Sequence, residues 1–186
     1  GGELKSTFSL TKDRFAYLSQ HIGDMENLET LQAFETSVAH FKHIFRVEPQ
    51  LIACDLHPNY LSTRWAVEKK EEVPVAQIQH HHAHIVSAMA ENHLDGRVIG
   101  LAFDGTGYGP DGTIWGGEVL LAERGRYERA ASLQPLPMPG GAAAIKAPWR
   151  MAISYLYQAF GESFRDLDTP FMTSVDPKQA DILVAM

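Results

Sequence analysis

A chain of 186 residues with a formal net charge of −7, 45% hydrophobic and 21% charged residues, is sized and balanced for one globular domain or two small lobes sharing a cleft. That charge speaks against broad nucleic-acid binding, which needs Lys and Arg clustered against phosphates. Cys54 is the single cysteine, so an intrachain disulfide and a cysteine-built metal site are excluded; with no signal-peptide pattern and no apolar run near the roughly 20 residues of a membrane span, a cytoplasmic setting without a membrane partner is expected.

In chain order, the sequence opens on Gly1-Gly2-Glu3 without an initiator methionine, and a strand is expected over residues 6–11. A helix follows over residues 27–45. There Leu28, Leu31, Phe34, Val38, Phe41 and Phe45 recur every three or four positions, the period of a helix burying one face, and Pro49 is expected to end it. Residues 51–56 read as a short buried strand closed by His57-Pro58-Asn59, which places Cys54 as a buried structural thiol. A helix over 60–70, with Lys69 and Lys70 at its negative end, is followed by a strand over 75–79. The next helix, 82–94, turns Ile85, Ala88 and Met89 inward. Strands alternating with helices at this spacing imply crossover connections and a largely parallel sheet. Near Asp95-Gly96 the pattern changes to three successive strands, 98–103, 114–122 and 127–134, so a second lobe is expected from about Arg97. A Pro- and Gly-rich loop over 135–148 leads into a helix over 149–160, and the chain stops inside a further helix over 177–186. It reads as a segment of something longer.

The run Gln79-His80-His81-His82-Ala83-His84 is the most informative feature. Residues four apart on a helix lie one turn above the other, so His80 and His84 can present two imidazoles to one ion if the helix includes His80. His81 and His84, three apart, form a competing pair. Imidazole suits zinc, iron and similar divalent ions. The bland alternative is a set of satisfied histidines at a helix start. A zinc-protease motif is excluded, because that needs Glu after the first His and position 81 is His.

The second feature is Asp104-Gly105-Thr106-Gly107-Tyr108-Gly109. Asp104 is expected at the carboxyl end of its strand, where open α/β sheets bind ligands, and Gly105, Thr106 and Gly107 can bring backbone N–H groups close to phosphate oxygens. An ordinary glycine-rich hairpin loop is the alternative. A carboxylate joining two imidazoles would complete a site of three protein ligands with room for a substrate oxygen. Gly140, Gly141 and Lys146 are further candidates for contact with a nucleotide, with a plain connecting loop as the other reading. Asp55-Leu56-His57-Pro58 either lines the cleft or forms a turn with an Asx-type hydrogen bond.

Together these segments resemble the HypF family, the carbamoyltransferases of nickel–iron hydrogenase maturation. The resemblance rests on residues 2–8 (GELKSTF), 54–63 (CDLHPNYLST), 79–84 (QHHHAH), 103–109 (FDGTGYG), 111–118 (DGTIWGGE), 139–141 (PGG) and 148–150 (PWR), in the family's order and over most of the chain. It implies the first part of the family's TsaD-like domain, an α/β actin/Hsp70-like (ribonuclease H-like) two-lobed fold. Residues 1–96 would be the first lobe and 97–186 the start of a second, truncated one. It also implies the activity. HypF makes carbamoyl-adenylate from carbamoyl phosphate and ATP in a YrdC-like domain, and the TsaD-like domain passes the carbamoyl group to the C-terminal cysteine of HypE, for conversion to a cyanide ligand of the hydrogenase iron.

The family's H-x-x-x-H metal pattern maps onto His80 and His84, and the Asp of its Asp-Gly loop maps onto Asp104, with zinc or iron as the ion. Gly1 and Gly2, together with Gly105, Thr106 and Gly107, would offer N–H donors to the phosphates of ATP or carbamoyl-adenylate. His81 and His82 would be supporting residues. The nucleophile would be the partner's thiolate, and the partners would be HypE and the remaining HypF domains. A further carboxylate ligand and much of the nucleotide pocket are implied to lie beyond Met186, so the isolated segment is expected to be inactive. One departure stands out: the family carries an acidic residue after its Gly-Gly pair, where this chain has Ala142. Two rivals remain. A sugar-kinase or ATPase-like enzyme of the same fold would need an acidic base facing a sugar hydroxyl and leaves the histidines unexplained. A non-enzymatic metal-binding or docking module would use the histidines alone.

Overall fold

The structure, a computed structural model, describes residues 3–186; Gly1 and Gly2, expected at the phosphates, lie outside the described residues. Strands β1 (Ser9–Lys12) and β2 (Phe15–Leu18) form an antiparallel hairpin whose turn places Asp13 in the left-handed region. The strand expected from residue 6 therefore begins at Ser9, and Ser6 makes only an isolated bridge to Gly23. No strand was expected over β2, because its residues are exposed or half-buried on both faces and show no alternation.

Helix α1 (Leu28–Phe45) starts where the Asn27 side chain accepts the Thr30 N–H at 2.8 Å, the usual role of an N-cap residue. It ends at Arg46, whose left-handed conformation lets its N–H reach the Lys42 carbonyl, three residues before Pro49. Phe34 is the buried anchor, meeting Phe8 and Trp65 edge-on, while Leu28 stays exposed.

Strands β3 (Ile52–Asp55) and β4 (Val75–Ile78) pair in parallel through the crossover helix α2 (Leu61–Glu68), with Asp55 opposite Ile78. Parallel strands in this register finish at the same edge. Helix α3 (His80–Glu91) leaves β4 at that edge, two residues earlier than expected, because the Gln79 side chain accepts the His82 N–H and caps it. Its buried face carries His81, His82, Ile85 and Met89, whereas Ala88, expected inward, is exposed. Cys54, expected buried, is half-buried on β3.

Strands β5 (Val98–Tyr108), β6 (Ile114–Glu123) and β7 (Arg126–Ser132) form an antiparallel sheet in chain order. Among the described residues, the parallel arrangement expected of the first half is met by β3 and β4 alone. Ile85 and Met89 of α3 pack on Ala102, Trp115, Leu120 and Ala122 of the sheet, which makes this the core of the first compact unit, Gly1–Leu133. Residues 96 and 97, the expected lobe boundary, fall inside that unit between α3 and β5.

The second unit, Gln134–Met186, has its own core of Ile153, Phe164, Ala180 and Leu183. Helix α4 (Ala142–Lys146) occupies part of the expected loop, and α5 (Trp149–Phe160) has the expected bounds. A 3₁₀ segment (Gly161–Asp166), α6 (Pro170–Ser174) and α7 (Pro177–Val184) complete it. Among the described residues no helix is long and apolar enough to cross a membrane.

Phe164 is fully buried in the second core. Truncation to Ala should cost about 3–5 kcal/mol there. Amide hydrogen exchange should show lost protection in residues 134–186 and retained protection in the first unit.

Candidate metal centre

The shared edge of β3 and β4 brings Asp55 beside the first turn of α3, and β5 runs past the same turn carrying Asp104. His80 lies between the two carboxylates: its Nδ1 is 2.7 Å from Asp55 Oδ2 and its Nε2 is 2.8 Å from Asp104 Oδ2. One helical turn on, His84 Nε2 is 3.2 Å from His80 Nε2 and 3.3 Å from Asp104 Oδ2. One ligand-type atom from each of His80, His84 and Asp104 thus falls within 4.8 Å of the others. Two imidazole nitrogens and a carboxylate oxygen are a donor set that zinc and ferrous iron accept, and His84 and Asp104 remain open to solvent on one side.

The electrostatics follow from this geometry. The hydrogen bond to Asp55 raises the His80 imidazole above its ordinary pKa, against the opposing effect of burial and with help from the charge of Asp55 and from Asp104. Burial alone would raise the Asp55 carboxyl. Hydrogen bonds from His80 and from the His57 N–H, with the nearby imidazoles, bring it below the usual carboxylate value. His57 stacks on Tyr60 at 4.1 Å between centroids and meets Tyr108 edge-on at 5.3 Å, an aromatic wall beside the cluster.

His81 and His82 do a different job from their neighbours. His81 is fully buried, with Nδ1 3.1 Å from Gln79 Nε2 and Nε2 3.2 Å from the Asp104 carbonyl. The Gln79 amide N–H donates to Nδ1, so Nε2 carries the proton and donates to Asp104: the capping residue of α3 is tied to the backbone of β5 through one ring. His82 is buried with Nε2 2.8 Å from the Glu123 carbonyl.

Gly107 makes room for this. A Cβ there would stand 2.5 Å from His81 Cε1. The segment expected as a glycine-rich loop is strand through Tyr108, so Asp104 sits within β5 and not at its end; the pairing with β6 shifts register between Phe103 and Gly107. Behind it, Glu118 is buried and accepts from Arg129 at 2.6 and 2.9 Å, while the Arg129 guanidinium lies 4.2 Å over the Trp115 ring.

Of the residues expected at the site, the structure therefore assembles His80, His84 and Asp104. Gly105 is exposed and Thr106 half-buried next to Asp104, while Gly107 is buried. Gly140, Gly141 and Lys146 gather at α4 in the second unit, all exposed, the two glycines with left-handed φ of 79° and 56°. Asp55 forms the Asx turn considered for it, its Oδ1 accepting the His57 N–H at 2.8 Å, and its Oδ2 also meets His80, a contact the sequence reading did not anticipate. Its signal in the sequence was its place at the end of a strand parallel to the one that feeds the histidines.

The class of domain is defined by two family models: residues 1–91 match the HypF Kae1-like domain, and residues 100–186 match the carbamoyltransferase Kae1-like domain, second subdomain. Over 88% of the chain it is 45% identical to the carbamoyltransferase HypF of Synechocystis, and over 84% it is 46% identical to the carbamoyltransferase HypF2 of Cupriavidus necator. A crystal structure of full-length HypF in the phosphate- and nucleotide-bound form superposes with a TM-score of 0.84 at 40% identity, covering 100% of this chain and 28% of that one. The chain belongs to the HypF carbamoyltransferase family. It spans about a fifth of these two curated relatives, 21% and 20% of their lengths.

Because the His81 ring fills the space above Gly107, Gly107→Ala should force the ring or the strand to shift. We expect a loss of about 1–3 kcal/mol in urea unfolding of the first unit, typical of overpacking a filled site.

Proposed function

We propose that this chain supplies the metal-bearing part of a carbamoyl-transfer site, acting within a longer enzyme that moves a carbamoyl group from carbamoyl-adenylate to the C-terminal cysteine of HypE. The convergence of His80, His84 and Asp104 carries the reading. The site has an open side for a substrate oxygen, and no nucleophile is needed from this chain when the acceptor is a thiolate. In the transfer, the HypE sulfur bonds to the carbamoyl carbon, the bond from that carbon to the adenylate phosphate oxygen breaks, and AMP leaves with the electron pair.

A divalent ion, zinc or iron, would supply Lewis acidity and an anchor for phosphate or carbamoyl oxygens. His80 and His84 would hold it by Nε2 and Asp104 by Oδ2. Gly105 and Thr106, beside Asp104, would face the substrate phosphates; Gly1, Gly2, Gly140, Gly141 and Lys146 are the further candidates for nucleotide contact. We assign the chain to an actin/Hsp70-like fold and its setting to the cytoplasm. The aromatic wall of His57, Tyr60 and Tyr108 beside the cluster would shield the reacting carbon from water.

The test is made in a full-length HypF carrying this segment. His80→Ala and His84→Ala should each lower carbamoyl transfer to HypE by roughly 100-fold or more, equivalent to several kcal/mol of lost stabilisation. Formation of carbamoyl-adenylate should persist, and bound metal should fall in step with transfer. Wild-type transfer in both variants would overturn the assignment; metal binding at these residues without any transfer by the unsubstituted full-length protein would favour a docking module instead.

A further inference from the structure

Asp55 lies outside the three-atom cluster, on the far side of the His80 ring. Both oxygens of its carboxylate are held, and so is its main chain. Oδ1 accepts the His57 N–H at 2.8 Å, Oδ2 faces His80 Nδ1 at 2.7 Å, and the Thr63 hydroxyl donates to its main-chain carbonyl at 3.1 Å. The side chain is only 11% exposed. These contacts hold the carboxylate with one acceptor oxygen aimed at Nδ1 of His80.

An imidazole has two nitrogens on opposite sides of the ring. In its neutral form one carries the proton and the other the lone pair, and the partner of the first decides which is which. Nε2 of His80 is the nitrogen that faces His84 and Asp104. A fixed acceptor on Nδ1 keeps the proton there, so that a bound ion would take the lone pair of Nε2. It also fixes the rotation of the ring, which a lone imidazole at the open first turn of a helix would not have. Carboxylate partners of this kind raise ligand basicity, and their loss commonly weakens metal binding.

We infer that Asp55 is a positioning residue of the metal centre, holding His80 as the Nδ1–H tautomer with its Nε2 lone pair turned toward the ion. The inference rests on the metal reading of His80, His84 and Asp104, and goes beyond it by assigning a fourth residue that touches no metal.

The discriminating substitution is Asp55→Asn. It keeps the shape and can still accept the His57 N–H through its oxygen, which preserves the turn. The amide nitrogen then faces His80 Nδ1 with a donor, which favours the Nε2–H tautomer and removes the lone pair from the metal side. Titrating the chain with Zn2+ against a chromophoric chelator, we expect Asp55→Asn and Asp55→Ala to lose affinity by about 10- to 100-fold, with His80→Ala losing it altogether. Thermal unfolding of Asp55→Asn should stay close to that of the wild type. In the Zn2+-loaded wild-type chain, NMR should show a slowly exchanging His80 Nδ1–H.

Affinities of both Asp55 variants within about twofold of wild type, with binding still lost in His80→Ala, would overturn the role of Asp55 and leave the metal reading standing. Zn2+ attached through His80 Nδ1 in the wild type would overturn it without any variant, whether or not the variants fold. Failure of the wild-type chain to bind Zn2+ would remove the metal reading and this inference together.

Discussion

The placement of one imidazole ring organises this part of the molecule. His80 stands at the first turn of α3 with a carboxylate from β3 on one nitrogen and a carboxylate from β5 on the other. The positive end of the helix disfavours charge on that ring, and partial burial disfavours it further. Two carboxylates outweigh both, which is why the imidazole is raised and not lowered. The same contacts couple three elements that are distant in the chain. A shift of β5 or β3 moves an oxygen away from His80, and a rotation of α3 breaks both contacts at once.

That arrangement depends on neighbours that carry no charge in it. Gln79 caps α3 with its oxygen and meets His81 with its nitrogen, and His81 reaches the Asp104 carbonyl. The helix start and the strand are thus joined through buried polar groups whose donors and acceptors are matched, which is the condition under which such groups hold a structure in one state. Behind β5, the buried Glu118 is paired by Arg129, and Arg129 covers Trp115. A buried carboxylate without that partner would be costly, so the pair defends the packing beneath the site more than it adds stability of its own.

Membership of the HypF carbamoyltransferases gives the histidine cluster a chemical context, and the geometry is consistent with it on independent grounds. The three candidate ligands lie in the unit Gly1–Leu133, supported by the core of α3 on the β5–β6–β7 sheet. The second unit contributes its own core and a pair of left-handed glycines at α4. Ala142 stands in the first turn of α4, which holds no acidic side chain.

Much was legible in the sequence because it is encoded locally. Helical periodicity located α1 closely and the helix expected over 149–160 is α5, while the spacing of His80 and His84 puts two imidazoles one turn apart once the helix includes His80. What local pattern could not reveal were features set by contacts between distant residues. The hairpin strand β2 has no buried face to betray it, and the glycine-rich segment after Asp104 reads as a loop although pairing with β6 extends it as strand. The choice among four histidines also lay outside the pattern. His80 and His84 face Asp104 while His81 and His82 turn into the protein, since only the packing of α3 against β5 and β6 decides which face of that helix is buried. The sequence by itself determined the residue types and the helical spacing of the site, because those depend on neighbours a few positions away. Only the tertiary structure decided that Asp55 and Asp104, 25 and 24 residues from His80, would close on the two sides of one ring, because that follows from the register of β3 with β4 and from the course of β5 past α3.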